Sequence, residues 1–451
     1  MITKEDKALV RQCIAMILAQ GADAARVTLN RCVEELVATL NGEVDKVTRC
    51  EDSSLALDIF IDGRFGSFST NRTQADALES FVRKAADMAQ AMEPDPLRKL
   101  PAAERKAADA VTGLEAGLYD AAQEAVTPAQ RVQNALKAAA WGKCPAPEGM
   151  VLLSEEGEYS DSCNDNLIMD SEGLECCHTE TSFDYGVEVT VADAQGRKYS
   201  GYAWDSSSRA EGLDAEGCGR RALERACARR DSAALPGGQY TMVVDSEVAG
   251  KLVTPLLNAL NGYSLQQGNS FLDGSLGQKI FADRMTLLDI PRTKGLQGAK
   301  YYDSEGVATA DKPIIEGGIV KQYFLNTYMA GKMGMAPTVE SATKVKMMPW
   351  PRSGPEQARD RAALLRRCRS GIIVTDFNGG NCNPATGDFS YGIEGFLFED
   401  GVLVRPVDGM LITGNMKTLW QHFLAAADDA RPCLSKLIPT LAFSSVDFSG
   451  E

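Results

Sequence analysis

Only two histidines, His178 and His422, occur in the 451 residues, and they lie 244 positions apart. A metal helix of the H-E-x-x-H type needs two imidazoles one turn apart on one face, so no such helix can form here. Glu180 follows His178, but no second histidine or cysteine recurs at helical spacing after it. Cys176-Cys177-His178 is the one cluster of soft ligands. Neighbours on a strand point to opposite faces, so the three are not expected to converge on one ion. A serine or cysteine nucleophile needs a base within hydrogen-bond reach. No G-x-S-x-G elbow and no cysteine-protease signature is present. Cys382, beside the glycine turn Asn378-Gly379-Gly380-Asn381, keeps a stand-alone Ser/Cys hydrolase open as an alternative. Gly274-Ser275-Leu276-Gly277-Gln278-Lys279 lacks the Ser/Thr that completes a phosphate loop and reads as a structural turn.

The elements that would position such residues change character along the chain. Residues 1–20 read as an amphipathic helix rather than a signal peptide, because Lys4, Glu5, Asp6, Lys7 and Arg11 interrupt the apolar run. Strands are expected over 25–32, 34–40, 44–50, 54–61 and 66–70, with a turn at Asp62-Gly63. A helix follows over 73–92, and another opens at Thr127-Pro128, a capping residue before proline. Residues 150–202 read as a β meander and 214–232 as a helix. After Gly237-Gly238 come a strand over 239–245 and a further helix, then a loop-dominated tract over 261–303. A helix is expected from near Pro355 to Arg369, and another over 415–427 carrying His422. The fold class is α+β: an N-terminal domain of antiparallel strands with helices (1–235) and a larger β-rich C-terminal domain (236–451).

Bulk properties exclude several functions. Forty-seven basic and 62 acidic residues leave a net charge of −15, which disfavours nucleic acid as a partner. No apolar run approaches the roughly 18 residues of a membrane span. With no signal peptide either, a cytoplasmic location is expected, and in that reducing compartment the twelve cysteines, which contain no C-x-x-C pair, read mostly as free thiols.

Asp388-Phe389-Ser390-Tyr391-Gly392-Ile393-Glu394-Gly395-Phe396-Leu397-Phe398-Glu399-Asp400-Gly401, with Val404-Arg405-Pro406-Val407 and Ile412-Thr413-Gly414-Asn415, reads as two short strands with glycines at their turns. This stretch resembles the TldD/PmbA family of intracellular metalloproteases, also described as modulators of DNA gyrase. Asp170-Ser171-Glu172-Gly173, Leu235-Pro236-Gly237-Gly238, Ser270-Phe271-Leu272-Asp273-Gly274 and Ile315-Glu316-Gly317-Gly318 are similar to further family segments. The metal-binding branch carries His-Glu-x-x-x-His on the helix after the second-domain strand. The matching helix here reads Ser246-Glu247-Val248-Ala249-Gly250-Lys251, so only the glutamate is kept. A hydroxyl is a poor zinc ligand and an ammonium repels the cation. Cys433 lies where that branch uses a cysteine, but its spacing to Pro439 departs from the branch.

The resemblance therefore implies the PmbA/TldE branch, with no catalytic residue and no metal or other cofactor in this chain. It implies a heterodimer with a TldD-type subunit that supplies zinc, and short or unfolded peptides as substrate. The isolated chain is expected to form a homodimer through the surface meant for its partner. A non-proteolytic regulator that binds gyrase is a further alternative, which no residue favours.

Overall fold

Turn chemistry sets the first sheet. Asn41-Gly42 and Asp62-Gly63 have positive φ at both residues, as type I′ hairpins require. They join β1 (Ala24–Leu40), β2 (Glu43–Ile61) and β3 (Arg64–Thr70). The five short strands expected over 25–70 are thus three. Residues 33 and 51–53 contain no glycine or proline, and pairing continues from Ala24↔Phe60 to Leu40↔Glu43.

The computed structural model describes residues 1–139, 149–354 and 356–450. They divide into two units, Met1–Ala228 with Arg292–Thr309, and Arg229–Pro291 with Ala310–Glu451. The first unit also contains α1 (Lys4–Ala19), α2 (Ala75–Gln90), α3 (Ala122–Ala125), α4 (Pro128–Ala138), β4 (Met150–Asp170), β5 (Glu175–Asp193), β6 (Lys198–Ser207) and α5 (Ala215–Ala228). Its six-stranded sheet runs β3-β2-β1-β4-β5-β6, with every pairing antiparallel. Thr127 caps α4 through a capping box with Gln130, with proline at the first helical position. Val10, Cys13 and Ile17 of α1 and Leu78, Val82 and Ala85 of α2 bury against Val27, Leu29, Leu57 and Ile59. Ala135 and Ala138 of α4 and Ala222 and Ala226 of α5 bury against Tyr159, Val187, Val189 and Val191.

The segment Arg292–Thr309 differs from a contiguous division at 235/236. Tyr302 is 1% exposed and packs with Ile168, Leu174 and Cys176, all of the first unit. Its hydroxyl donates to Asn166 Oδ1 at 2.7 Å. A ring buried this fully stabilises by a few kcal/mol, enough to draw a loop away from its sequence neighbours.

The second unit comprises β7 (Gly238–Val244), α6 (Ser246–Ala259), α7 (Gly262–Gln266), β8 (Leu287–Asp289), β9 (Lys312–Glu316), β10 (Ile319–Val320), α8 (Thr327–Met333), β11 (Val345–Met347), α9 (Arg361–Cys368), β12 (Gly371–Phe377), β13 (Asn381–Cys382), β14 (Asp388–Glu399), β15 (Val402–Asn415), α10 (Met416–Gln421), β16 (Phe423–Ala426) and β17 (Leu441–Gly450). Strands β8 to β11 make a small sheet in the order β10-β9-β8-β11. In the larger one, β12 pairs with β7, β7 with β17, β17 with β15, β15 with β14, and β14 again with β12. The pairing closes on itself, so five strands form a barrel-like ring, in which β15 meets β17 over Met410–Thr413 and pairs with β14 alone over Val402–Val407. Gly395 makes the β14–β12 contact possible: a Cβ there would lie 1.8 Å from the Ile373 carbonyl oxygen.

Two expected helices are shorter. Asp360 caps α9, which starts at Arg361; Pro355, the expected start, lies outside the described residues. The helix expected over 415–427 ends at His422, because Phe423–Ala426 pair with Phe443, Ala442 and Leu441 of β17. Tertiary pairing of an apolar run has overridden helix propensity there.

Candidate functional site

The helix α6 follows β7 after one residue, Asp245, whose carboxylate accepts from the Glu247 N–H at 3.0 Å. Arg361 Nη1 donates to the same carboxylate at 2.7 Å, so the first turn is fixed from two sides. Ser246 is buried, 8% exposed. Glu247 Oε1 accepts from Arg431 Nη1 at 2.7 Å, with the two side chains 19% and 24% exposed. Lys251 lies one turn further along, with Nζ 5.6 Å from the centre of the Tyr391 ring. The three positions thus have three environments: a buried hydroxyl, a carboxylate held by a guanidinium, and an ammonium over an aromatic ring.

Lys251, Thr254, Pro255 and Asn258 share one face of α6 and form one wall of a groove of about 250 Å³. The other wall is Phe271, Gly380, Asn381, Cys382, Pro384 and Tyr391. Phe271 N–H donates to the Pro384 carbonyl at 2.9 Å, tying the two loops together. Gly380, at φ 83°, lets its backbone approach Ser390, where a Cβ would lie 2.0 Å from the carbonyl oxygen. Tyr391 is held by Phe389, stacked at 5.5 Å, and by Phe377, edge-on at 5.7 Å. Pro255 has no N–H for the carbonyl of Lys251, so the helix ladder is interrupted along this wall. A larger cavity, about 490 Å³, is lined by Glu356, Gln357, Ala358, Ala363, Arg366 and Arg367. It holds charged groups, Glu356 with Arg366 and Arg367, but no nucleophile and none of the residues singled out from the sequence, so the groove on α6 is the better candidate.

The other residues with chemistry in prospect are dispersed. Cys176 and Cys177 bury into different clusters on opposite faces of β5, and burial pushes the Cys176 thiol up to about 12. His178 Nε2 lies 3.4 Å from Glu180 Oε2 in the first unit. His422 is exposed and forms the C-cap of α10 in the second. Burial, and then the Asp388 carboxylate, push the Cys382 thiol above its ordinary value, the reverse of what an attacking thiolate needs. Among the described residues no group of three or more His, Cys, Asp or Glu is arranged to hold a metal ion. Ser246, Glu247 and Lys251 do not fit zinc: one is a neutral hydroxyl, one is neutralised by Arg431, and one is itself a cation.

Lys344 was not singled out from the sequence. It is 1% exposed and donates from Nζ to the Leu434 carbonyl at 2.6 Å. Burial lowers its ammonium to about 8, against a smaller opposing effect of the Cys433 thiol. A buried ammonium beside Cys433 is a second obstacle to a cation in that region. Arg431, Asn381 and Tyr391 were missed as well. They stand far from α6 in sequence, and no local pattern connects them to it.

The family model of the PmbA/TldA metallopeptidase C-terminal domain matches residues 237–450, that of the central domain 121–230, and that of domain 1 25–89. Metalloprotease PmbA of Escherichia coli O157:H7 is 28% identical over 439 residues, spanning 95% of this chain and 94% of that protein. A TldD homologue of Haemophilus influenzae is 24% identical over 219 residues, 46% of this chain and 45% of its own length. A crystal structure from Bacteroides thetaiotaomicron, described as a modulator of DNA gyrase, is 35% identical with a TM-score of 0.93 over all of both chains. TldE from Thermococcus kodakarensis has the same fold, with a TM-score of 0.80 and 19% identity over 98% of this chain and 99% of its own. No helix among the described residues is long and apolar enough to cross a membrane.

Proposed function

The chain belongs to the PmbA/TldD metallopeptidase family, and we propose that it serves there as a PmbA/TldE-type subunit that does not itself cleave. The observation that carries this reading is the state of α6. Glu247 is engaged by Arg431 at 2.7 Å, and Lys251 places an ammonium where a metal helix would need an imidazole. A general base must be free to take a proton, and a carboxylate held by arginine is a weak one.

Zinc in such an enzyme polarises the scissile carbonyl and activates water. In this reading zinc belongs to a TldD-type partner subunit in a heterodimer. This chain contributes binding and orientation of a short or unfolded peptide. With the ring of strands closed, the short strand β13 offers an open edge beside the groove, since it pairs with β14 alone. An extended peptide added at that edge is read through its main chain, independently of its sequence.

The test is reconstitution. The purified chain, a TldD-type subunit and their mixture are assayed on an unfolded polypeptide with and without a chelator. Hydrolysis that needs both chains and is lost with chelator supports the proposal. Chelator-sensitive hydrolysis by this chain alone, or no gain on mixing, refutes it.

A further inference from the structure

We propose that the groove between α6 and β13 is a subsite for the C-terminal carboxylate of an extended peptide, with Lys251 as its cation. The inference rests on the subunit reading above and adds which part of the peptide this chain holds. Among the described residues Lys251 has no carboxylate partner; its recorded contact is the Tyr391 ring. The side-chain amides of Asn258 and Asn381 face the same groove and make no hydrogen bond among the described residues. A groove that carries one positive charge and two amides suits a monoanion attached to a peptide unit: the ammonium meets the carboxylate, and the amides can donate to and accept from the last peptide group.

The walls carry the second part of the argument. Pro255, Phe271, Pro384 and Tyr391 are apolar or aromatic and line the same space. They can take the terminal side chain while the carboxylate stays at the Lys251 end. A volume near 250 Å³ falls below the roughly 300–1,000 Å³ of sites that enclose a whole small ligand, so it suits the end of a chain. The open edge of β13, Asn381–Cys382, borders the groove and gives the preceding residues a strand to pair with. A doubly charged phosphate would leave one charge uncompensated, as Lys251 is the single cation among the lining residues.

The test compares one short fluorescent peptide of Ala, Gly and Leu, ending as free acid or as amide, by anisotropy with the full chain. Lys251 is exposed, so the acid should bind about two- to fivefold more tightly than the amide. The preference should shrink towards unity between about 50 and about 500 mM salt. Lys251→Gln should abolish the preference, and Lys251→Arg should retain it. Equal binding of acid and amide, a preference that survives Lys251→Gln, or no binding of either peptide overturns the proposal. The same preparations assayed with a TldD-type partner separate the two readings. Partner-dependent hydrolysis without an acid preference removes the carboxylate subsite alone. Absence of that hydrolysis removes the subunit reading, whatever the peptide ends do.

Discussion

Restoring the two histidines on α6 should not restore a metal site. In the variant Ser246→His with Lys251→His, the imidazoles stand at the spacing of the metal-binding branch, but the glutamate between them stays engaged by Arg431 at 2.7 Å. The two positions also differ in environment: position 246 is 8% exposed, whereas Lys251 lies in the open groove. An imidazole forced into the space of a buried serine hydroxyl should cost about 1–3 kcal/mol, and the change at the exposed position less than about 0.5 kcal/mol. Zinc bound at about a hundred times its dissociation constant would return about 2.7 kcal/mol. In a unit of this size that is a rise of about 5–10 °C in unfolding midpoint. The expected rise on adding zinc is below about 1 °C, with no chelator-sensitive hydrolysis, because Glu247 stays paired with Arg431. Thermal unfolding with and without zinc, together with zinc retained after desalting, checks this. One zinc per chain, or a rise of several degrees, would refute the argument from the burial of position 246 and the engagement of Glu247.

Three further outcomes follow from buried groups. Asp161 is fully buried and accepts from Arg131 Nε at 2.7 Å, Arg131 Nη2 at 2.8 Å and Gln123 Nε2 at 2.8 Å. Asp161→Ala should therefore cost about 3–5 kcal/mol in urea unfolding by stranding a buried guanidinium, and a loss below about 1 kcal/mol would contradict it. Cys13 and Cys176 are raised to about 12, and Cys218 and Cys368 to about 11, by burial, so above pH 8.5 the unfolded chain loses these protons first and stability falls. Lys344, lowered to about 8, works the other way: between about 8 and 10.4 the unfolded chain holds its proton more tightly, and stability rises with pH. By pH 9.5 the four thiols subtract about 5–6 kcal/mol and the lysine restores about 2, so urea midpoints in reductant should fall from pH 8 to 9.5. A midpoint that rises over that interval would show the thiols to be wrongly weighted. Gly395→Ala should destabilise by at least about 1–3 kcal/mol, since its Cβ would meet the Ile373 carbonyl across the β14–β12 pairing, and an unfolding curve unchanged within about 0.5 kcal/mol would exclude that contact.

What could be read from the sequence divides by range. Local signals held: the Asp62-Gly63 turn, the Thr127-Pro128 start of α4, and the α+β character all rest on residues within a few positions of one another. The long strands β1 and β2 look like separate pieces in sequence because alternation fades where both faces are exposed, as over residues 43–47. His422 was placed inside a helix because the pairing of Phe423–Ala426 with β17 is decided by residues about twenty positions away. The excursion of Arg292–Thr309 is set by Tyr302 finding Ile168 and Cys176. No window around residue 302 carries that information.

The site divides in the same way, and the division bears on function. Ser246, Glu247 and Lys251 lie within one stretch of six residues, so a motif could single them out, yet a motif states only which side chains are present. What each can do is set by residues more than a hundred positions away: Arg431 on Glu247, Tyr391 beneath Lys251, Asn381 across the groove. A histidine-free helix alone would be consistent with a surface that has drifted out of use. A glutamate engaged by arginine and a lysine standing unpaired over a tyrosine at the mouth of a groove are instead consistent with a surface whose charges still have an order. Lys251→Gln separates the two: drift predicts that peptide binding and partner-dependent hydrolysis are both indifferent to the charge, whereas a binding surface predicts that the acid preference goes while the amide still binds.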